Sequence, residues 1–145
     1  MTQQITPLAC ISIRQPWAGA IICGKDVENR SRRISHRGLV GIHATLHPDW
    51  AAIGDERIRA LLSNTIAEPF CGLGVVLGVA QLVDCHPDTG SCCGPWAARG
   101  LHHLVLTDVR RLPEPVPARG SLALPWWAPD HVAAAVHRQL TVAAR

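Results

Sequence analysis

Residues 11–45, ISIRQPWAGAIICGKDVENRSRRISHRGLVGIHAT, decide the fold that we predict for this chain. An apolar strand pattern at residues 10–13 is followed closely by Pro16. Proline suits the first turn of a helix, because its φ is already near the helical value and its missing N–H would have no partner there. Glycine commonly follows the last turn, and Gly24 stands at that distance. The stretch therefore predicts a strand and then a short apolar helix over about residues 16–23.

Two further extended runs, at residues 27–30 and 39–44, complete the same stretch. Its polar residues stand at the ends of short regular elements, where binding clefts are commonly formed. These polar residues are Arg14, Gln15, Lys25, Glu28, Asn29, Arg30, His43 and Thr45. We expect them to furnish a cleft beside the first helix.

The totals indicate one domain with many turns. The chain has 145 residues, of which 48% are hydrophobic, so a full core can form. Eleven prolines and twelve glycines, against one phenylalanine and no tyrosine, favour a β-rich fold over a helical bundle. The net charge of +3 permits a polyanionic partner but does not require one.

No basic and apolar leader is visible in the sequence, and no apolar run approaches the ~20 residues that span a bilayer. We therefore expect a cytoplasmic protein without a membrane partner. In that compartment the six cysteines would be reduced thiols, metal ligands or small buried hydrophobes and not a disulfide framework.

The rest of the chain divides into elements by periodicity and turn residues. In chain order we predict a helix, a strand, a turn-rich loop, a strand, a proline-rich extended connector and a helix, over residues 49–62, 73–83, 84–94, 103–109, 110–117 and 130–143. Gly74 and Gly78 predict bends or close backbone approach in the first of these strands, as a small curved barrel needs. The last helix is predicted to bury Val132, Val136 and Leu140 on one face.

Several segments resemble the ASCH domain, a member of the PUA-like superfamily. The resemblance lies in SIRQPWA at residues 12–18, GKDVENR at 24–30, RGLVGIHA at 37–44, GVAQLVDC at 78–85, the strand at 102–106 and the approach at 113–120. It covers residues 9–127, between a lead-in at residues 1–8 and a C-terminal helix at 128–145 that packs on the domain or extends from it. The resemblance implies an α+β fold, namely a small mixed β-barrel flanked by short helices, with a cleft next to the first helix.

The resemblance also implies a nucleic-acid role. RNA is the partner most often proposed for this family, some members bind DNA, one bacterial branch hydrolyses the amide of an N4-acylated cytidine, and ribonuclease activity is reported for another member. We therefore favour RNA over DNA, with a nucleoside as a further possible ligand, and expect no cofactor. The sequence leaves the oligomeric state open.

The candidate nucleic-acid-binding residues combine cations, a tryptophan and polar side chains. They are Arg14, Gln15, Trp17, Lys25, Arg30, Arg32, Arg33 and His43. The cations would hold phosphate, Trp17 would stack on a base, and Gln15 would contact a base edge. Each has a simpler interpretation: the basic run is a solvated loop, Trp17 anchors the helix in the core, and His43 is a satisfied core histidine.

A hydrolase is the alternative function. The hydrolase branch carries Lys-x-x-Thr-x-Arg, and here Lys25, Glu28 and Arg30 fill that spacing with glutamate in place of threonine. Lys25 and Glu28 would then be the catalytic acid/base couple. A protein-interaction domain using residues 113–117 and Trp126-Trp127 is a third possibility, but packing explains both segments more simply.

The loop after residue 84 holds Cys85, His86, Cys92 and Cys93, four candidate zinc ligands within nine residues. Adjacent cysteines reach one metal only if the backbone turns tightly between them. We interpret this loop as one of reduced thiols, with zinc as the alternative.

Overall fold

The computed structural model describes residues 3–64, 68–90 and 92–143. The described helices are Trp17–Ile22 (α1), Glu56–Asn64 (α2) and Asp130–Ala143 (α3), with 3₁₀ turns at Trp50–Gly54 and Glu68–Phe70. The described strands are Ala9–Ile13 (β1), Val27–Arg30 (β2), Gly38–Ala44 (β3), Val75–Pro87 (β4), His102–Pro117 (β5) and Trp126–Trp127 (β6). Within these ranges no helix has the length and apolar character to cross a bilayer.

One mixed sheet holds the six strands in the order β2-β5-β4-β3-β1-β6. β1 and β3 run parallel, with Ile11 opposite Ile42, and the other pairs are antiparallel. α1 covers one face through Ala18 and Ile21, and α3 covers the other. The molecule is therefore a mixed α+β fold with helices on both faces of the sheet.

The predicted closed barrel is wrong, because the sheet is open. Among the described residues, β2 pairs with β5 alone and β6 with β1 alone. β6 has two residues and ends opposite Ala9 and Cys10, so β1 has no ladder partner on that side at Ser12. The Ser12 carbonyl instead accepts a 2.6 Å hydrogen bond from Nη2 of Arg30, on the other edge strand. A side chain therefore spans the distance that a barrel would close with backbone.

The C-terminal helix is the predicted one, and it packs on the domain. Val132, Val136 and Leu140 are buried against the second face of the sheet. Trp126 joins the same cluster, whereas Trp127 is 60% exposed.

Three element predictions are wrong in extent. The predicted helix 49–62 is a 3₁₀ turn and then α2, interrupted at Asp55. The predicted connector 110–117 is the second half of β5, and β4 extends to Pro87. Glu114, between two prolines, has its N–H and C=O bound by the side-chain amide of Gln139 at 3.0 and 2.8 Å. This amide takes the place of a neighbouring strand at Glu114. Pro113 and Pro115 are tolerated because they lie where the β4–β5 ladder is interrupted, between Arg111 and Val116.

Candidate functional site

A cleft of about 630 Å³ opens where β1 ends, beside α1 and β2. It lies between the 95–98 loop and the 121–124 segment. Its polar and aromatic lining residues are Ser12, Arg14, Trp17, Lys25, Glu28, Asn29, Arg30, Thr45, Asp55, Arg57, Trp96 and Ser121. The predicted cleft beside the first helix is therefore present.

Lys25 is part of the buried wall of the cleft, with 3% of its surface exposed. Gly24, at φ 124°, turns the chain after α1, and the Lys25 N–H bonds back to the Ala20 carbonyl at 2.8 Å. Nζ donates to the Val27 carbonyl at 2.6 Å and lies 5.6 Å from the centre of the Trp17 ring. The ammonium is thus held close beneath the indole and faces away from bulk solvent.

Glu28 lies between two cations. Its Oε2 is 3.4 Å from Nζ of Lys25, and its Oε1 is 3.8 Å from Nε of Arg30. That Nε is buried and has no hydrogen-bond partner among the described residues. One carboxylate against two cations leaves this part of the cleft with net positive charge.

Trp17 is held by a hydrogen bond from Nε1 to Oδ2 of Asp49 at 3.0 Å. It is half-buried and lines the cleft, so it both anchors α1 and presents part of its ring to the opening.

A second tryptophan, Trp96, enters the cleft from the loop between β4 and β5. Asn29 binds this loop on both sides of Ala97, through the Trp96 carbonyl at 2.9 Å and the Ala98 N–H at 2.8 Å. The guanidinium carbon of Arg57 lies 4.7 Å from the centre of the Trp96 ring, and Nη1 donates to the Pro95 carbonyl at 2.6 Å. The Arg57 side chain also holds the pKa of Asp55 down at about 2 through their hydrogen bond.

Seven of the predicted residues line the cleft together: Arg14, Trp17, Lys25, Glu28, Asn29, Arg30 and Thr45. The first six come together because β1, α1 and β2 follow one another directly in the chain, and Thr45 follows β3, the strand paired with β1. Arg14 is exposed, and within the described ranges its side chain has no hydrogen bond or ion pair.

Gln15 does not line the cleft. Its amide donates to the carbonyls of Pro69 and Gly72 at 2.7 and 3.0 Å and accepts from the Gly19 N–H at 2.9 Å. Buried and fully bonded, it joins α1 to the 68–72 segment and has no atom left for a base edge.

His43 is also removed from the cleft, buried between β1 and the 118–120 segment. Its Nδ1 lies 3.1 Å from the Ser12 hydroxyl and its Nε2 lies 2.7 Å from the Ala118 carbonyl. Burial lowers the pKa of this imidazole. The placement fits the core-histidine interpretation.

Arg32 and Arg33 are exposed and lie outside the cleft lining. Arg32 reaches the Leu122 carbonyl at 3.4 Å. They extend the positive surface beyond the cleft.

Sequence reasoning missed Asp55, Arg57 and Trp96 as cleft residues. Arg57 and Trp96 are 39 positions apart, and only the fold of the long β4–β5 connection brings them together. A tryptophan after Pro95 in a polar loop was the one available signal.

A second cluster of reactive side chains lies at the end of the β4–β5 pair. His86, Cys92, Cys93 and His103 place one nitrogen or sulfur atom each within 4.8 Å of the other three. Hydrogen bonds from Cys93, Thr89 and His86 lower the pKa of Cys92 to about 5, while Cys92 raises the pKa of Cys93 to about 11. Of the residues singled out from the sequence, Cys85 is excluded, because it is buried with the core on the α1 side of the sheet.

Comparison with models of known protein families finds no match for this chain, and comparison with curated proteins finds none either.

Proposed function

We propose that this chain binds nucleic acid, single-stranded RNA in preference to DNA, in the cleft beside α1. The observation that carries the proposal is the composition of one cleft: two tryptophans, with Arg14, Lys25, Arg30 and Arg57 around them. The preference for RNA rests on the resemblance of residues 9–127 to the ASCH domain.

The cations would hold phosphate. Arg14 is exposed without a partner in the described part of the chain, and Arg30 keeps donors beyond its bond to Ser12. Guanidinium groups suit phosphate because their planar donors match two oxygens at once. Arg32 and Arg33 outside the lining would meet the next phosphates along a strand.

The tryptophans would hold bases. Stacking of a base on an aromatic side chain contributes ~1–3 kcal/mol and tolerates any base. Trp17 lies close to Lys25 and Trp96 to Arg57, so each ring is held by a cation and is already placed before a ligand arrives.

The test is fluorescence anisotropy with labelled single-stranded RNA and DNA of one sequence, titrated at several salt concentrations. We expect affinity to fall as salt rises, because phosphate contacts release counterions. Arg14→Gln should weaken binding and reduce the salt slope by about 1. Arg138→Gln, an exposed arginine on α3 remote from the cleft, is the matched control and should change neither.

An affinity that does not change with salt concentration, or an equal loss of affinity in Arg14→Gln and Arg138→Gln, would count against a binding site in the cleft. Tighter binding of the DNA than of the RNA would support the cleft as the site and reverse the proposed preference for RNA.

The hydrolase remains the second candidate, favoured by the contact between Lys25 and Glu28 in the cleft wall. An ammonium that donates to two oxygens has no free electron pair, so Lys25 would first pass a proton to Glu28 and then act as base or nucleophile. Arg30 would stabilise the developing negative charge. Turnover of N4-acetylcytidine and of short RNA, abolished by Lys25→Ala and Glu28→Gln, is the expected result. Intact substrates after incubation with the wild-type protein would exclude this activity.

A further inference from the structure

We propose that His86, Cys92, Cys93 and His103 bind one Zn²⁺ as a closed structural site that fastens the wall of the cleft. The proposal is independent of what the cleft binds. It rests on donor spacing, on the partners of the two imidazoles and on the backbone between the cysteines.

The spacing of the donor atoms fits a tetrahedral site. Nε2 of His86 lies 3.4 Å from Sγ of Cys92 and 3.0 Å from Sγ of Cys93, and Nδ1 of His103 lies 3.4 Å from Sγ of Cys92. Zinc bonds of their usual lengths hold tetrahedral ligands about 3.4–3.8 Å apart. Small side-chain movements are therefore enough to admit the ion.

Both imidazoles have the outer partner that zinc-bound histidines use. His103 donates from Nε2 to the Ala98 carbonyl at 2.6 Å, so its Nδ1 lone pair faces the sulfurs. Nδ1 of His86 lies 2.8 Å from Oδ2 of Asp84, so in the neutral form that binds a metal the proton is on Nδ1 and the Nε2 lone pair faces the sulfurs too. Such bonds fix the tautomer and orientation of a ligating histidine. Free thiols do not require this arrangement at two separate histidines.

The backbone removes the objection that adjacent cysteines cannot share a metal. Cys93 adopts φ 76°, in the left-handed region that residues with a Cβ rarely enter, and Gly94 follows at φ 78°. This tight turn directs both sulfurs to the same side. The strand register supplies the other two ligands, because His86 is paired with His103 across β4 and β5.

Two sulfurs and two imidazole nitrogens in a tetrahedral set favour Zn²⁺. Both sulfurs bind the ion as thiolates, and a sulfur that still carries its proton releases it to solvent as the S–Zn bond forms. The two thiolates neutralise the charge of the ion. Four protein ligands leave no open position for substrate, so the site is structural and not catalytic.

The site would stabilise the loop that carries Trp96. Ala98, which binds His103, lines the cleft next to Trp96, and Asn29 holds the same loop from β2. The ion and Asn29 would therefore fix the loop at two points.

The test uses the full chain, with any affinity tag removed because polyhistidine binds metal. After reconstitution with Zn²⁺ and removal of unbound metal, the protein should contain one zinc ion per chain, as measured by elemental mass spectrometry. Co²⁺ should replace it and show the intense absorption of a tetrahedral site together with thiolate charge transfer. The wild-type measurements keep the proposal testable if a variant fails to fold.

Cys92→Ser and His103→Asn should lose the metal, and Asp84→Asn should lower zinc affinity about 10–100-fold. Cys71→Ser, an exposed cysteine outside the cluster, is the control and should keep full occupancy. A wild-type chain that takes up no Zn²⁺, or a Co²⁺ spectrum without the thiolate band, would overturn the proposal. Equal metal content in Cys92→Ser and wild type would do the same.

Discussion

His43 shows how a candidate nucleic-acid-binding residue in the sequence can be structural. The Trp126 Nε1–H donates to the Ser12 hydroxyl at 2.9 Å, Ser12 bonds Nδ1 of His43, and Nε2 of His43 bonds the Ala118 carbonyl. Because a carbonyl oxygen only accepts, Nε2 of His43 donates to Ala118. Burial favours the neutral imidazole, in which Nδ1 accepts from the Ser12 hydroxyl. This chain of bonds ties β1, β3, β6 and the 118–120 segment together.

The neutral state of His43 makes stability depend on pH. Burial lowers its folded pKa below the ordinary 6.5, so below that pH the unfolded chain binds more protons than the folded one. We expect the free energy of unfolding to be unaffected by His43 above pH 6.5 and to fall as the pH drops from there towards the folded pKa, by up to about 1.4 kcal/mol per pH unit.

Urea unfolding of wild type and His43→Gln across this range measures the effect. The difference between the two proteins isolates His43 from His86 and His103, whose pKa values are raised. Parallel curves would show that His43 has the same pKa in the folded and the unfolded chain, which would contradict the prediction.

At the scale of elements, the β4–β5 pair organises the molecule. It shifts register three times along its length, and Gly78 lies at the first shift. A Cβ on Gly78 would lie 2.5 Å from the Arg110 carbonyl oxygen and 2.8 Å from Cδ1 of Ile22. The close backbone approach predicted for this glycine is therefore confirmed, although the barrel that it was expected to serve is not.

Gly78→Ala should destabilise the protein by about 1–3 kcal/mol, because the backbone of β5 has to move away from the new methyl group. The free energy of unfolding in urea gives the value. Gly54→Ala is the matched control, since nothing lies within 4 Å of its added Cβ and its φ is not positive. Equal stability of Gly78→Ala and wild type would mean that the strands separate there without cost.

At the scale of the whole molecule, the cleft depends on parts far apart in the chain. One wall comes from β1, α1 and β2, and the other from the loop between β4 and β5. Asn29 of β2 joins the two walls at the 95–98 loop, and Arg57 of α2 binds the same loop. The affinity for any ligand that contacts both walls would therefore depend on whether His86, Cys92, Cys93 and His103 hold a metal ion.

If zinc fastens that loop, a chelator should affect both stability and binding. A ligand present at 100 times its Kd stabilises a fold by about 2.7 kcal/mol, so chelation should lower the Tm by about 5–10 °C. The oligonucleotide affinity should fall with it. Cys92→Ser is the control, because a protein without the site should not respond to the chelator. A large drop in Tm with unchanged affinity would separate the metal site from the cleft.

Local features of the sequence were sufficient to predict α1, α3 and half of the cleft. Pro16 and Gly24 mark the two ends of α1 through their own backbone preferences. The spacing of Val132, Val136 and Leu140 defines the buried face of α3. Arg14 and Arg30 line the same cleft because the elements between them are short and consecutive. The periodicity of apolar side chains indicates which face of an element is buried, and it can be read from residues that are close together in the sequence.

Only the tertiary structure decided the rest. The open sheet depends on which edges pair over long distances, and the backbone of Glu114 in β5 is bound by Gln139, 25 positions later in the chain. Trp96 reaches the cleft, and His103 joins His86, because β4 and β5 pair over their whole length. Contacts of this kind join residues that are far apart in the chain, and no sequence periodicity indicates them. They are therefore known only from the tertiary structure.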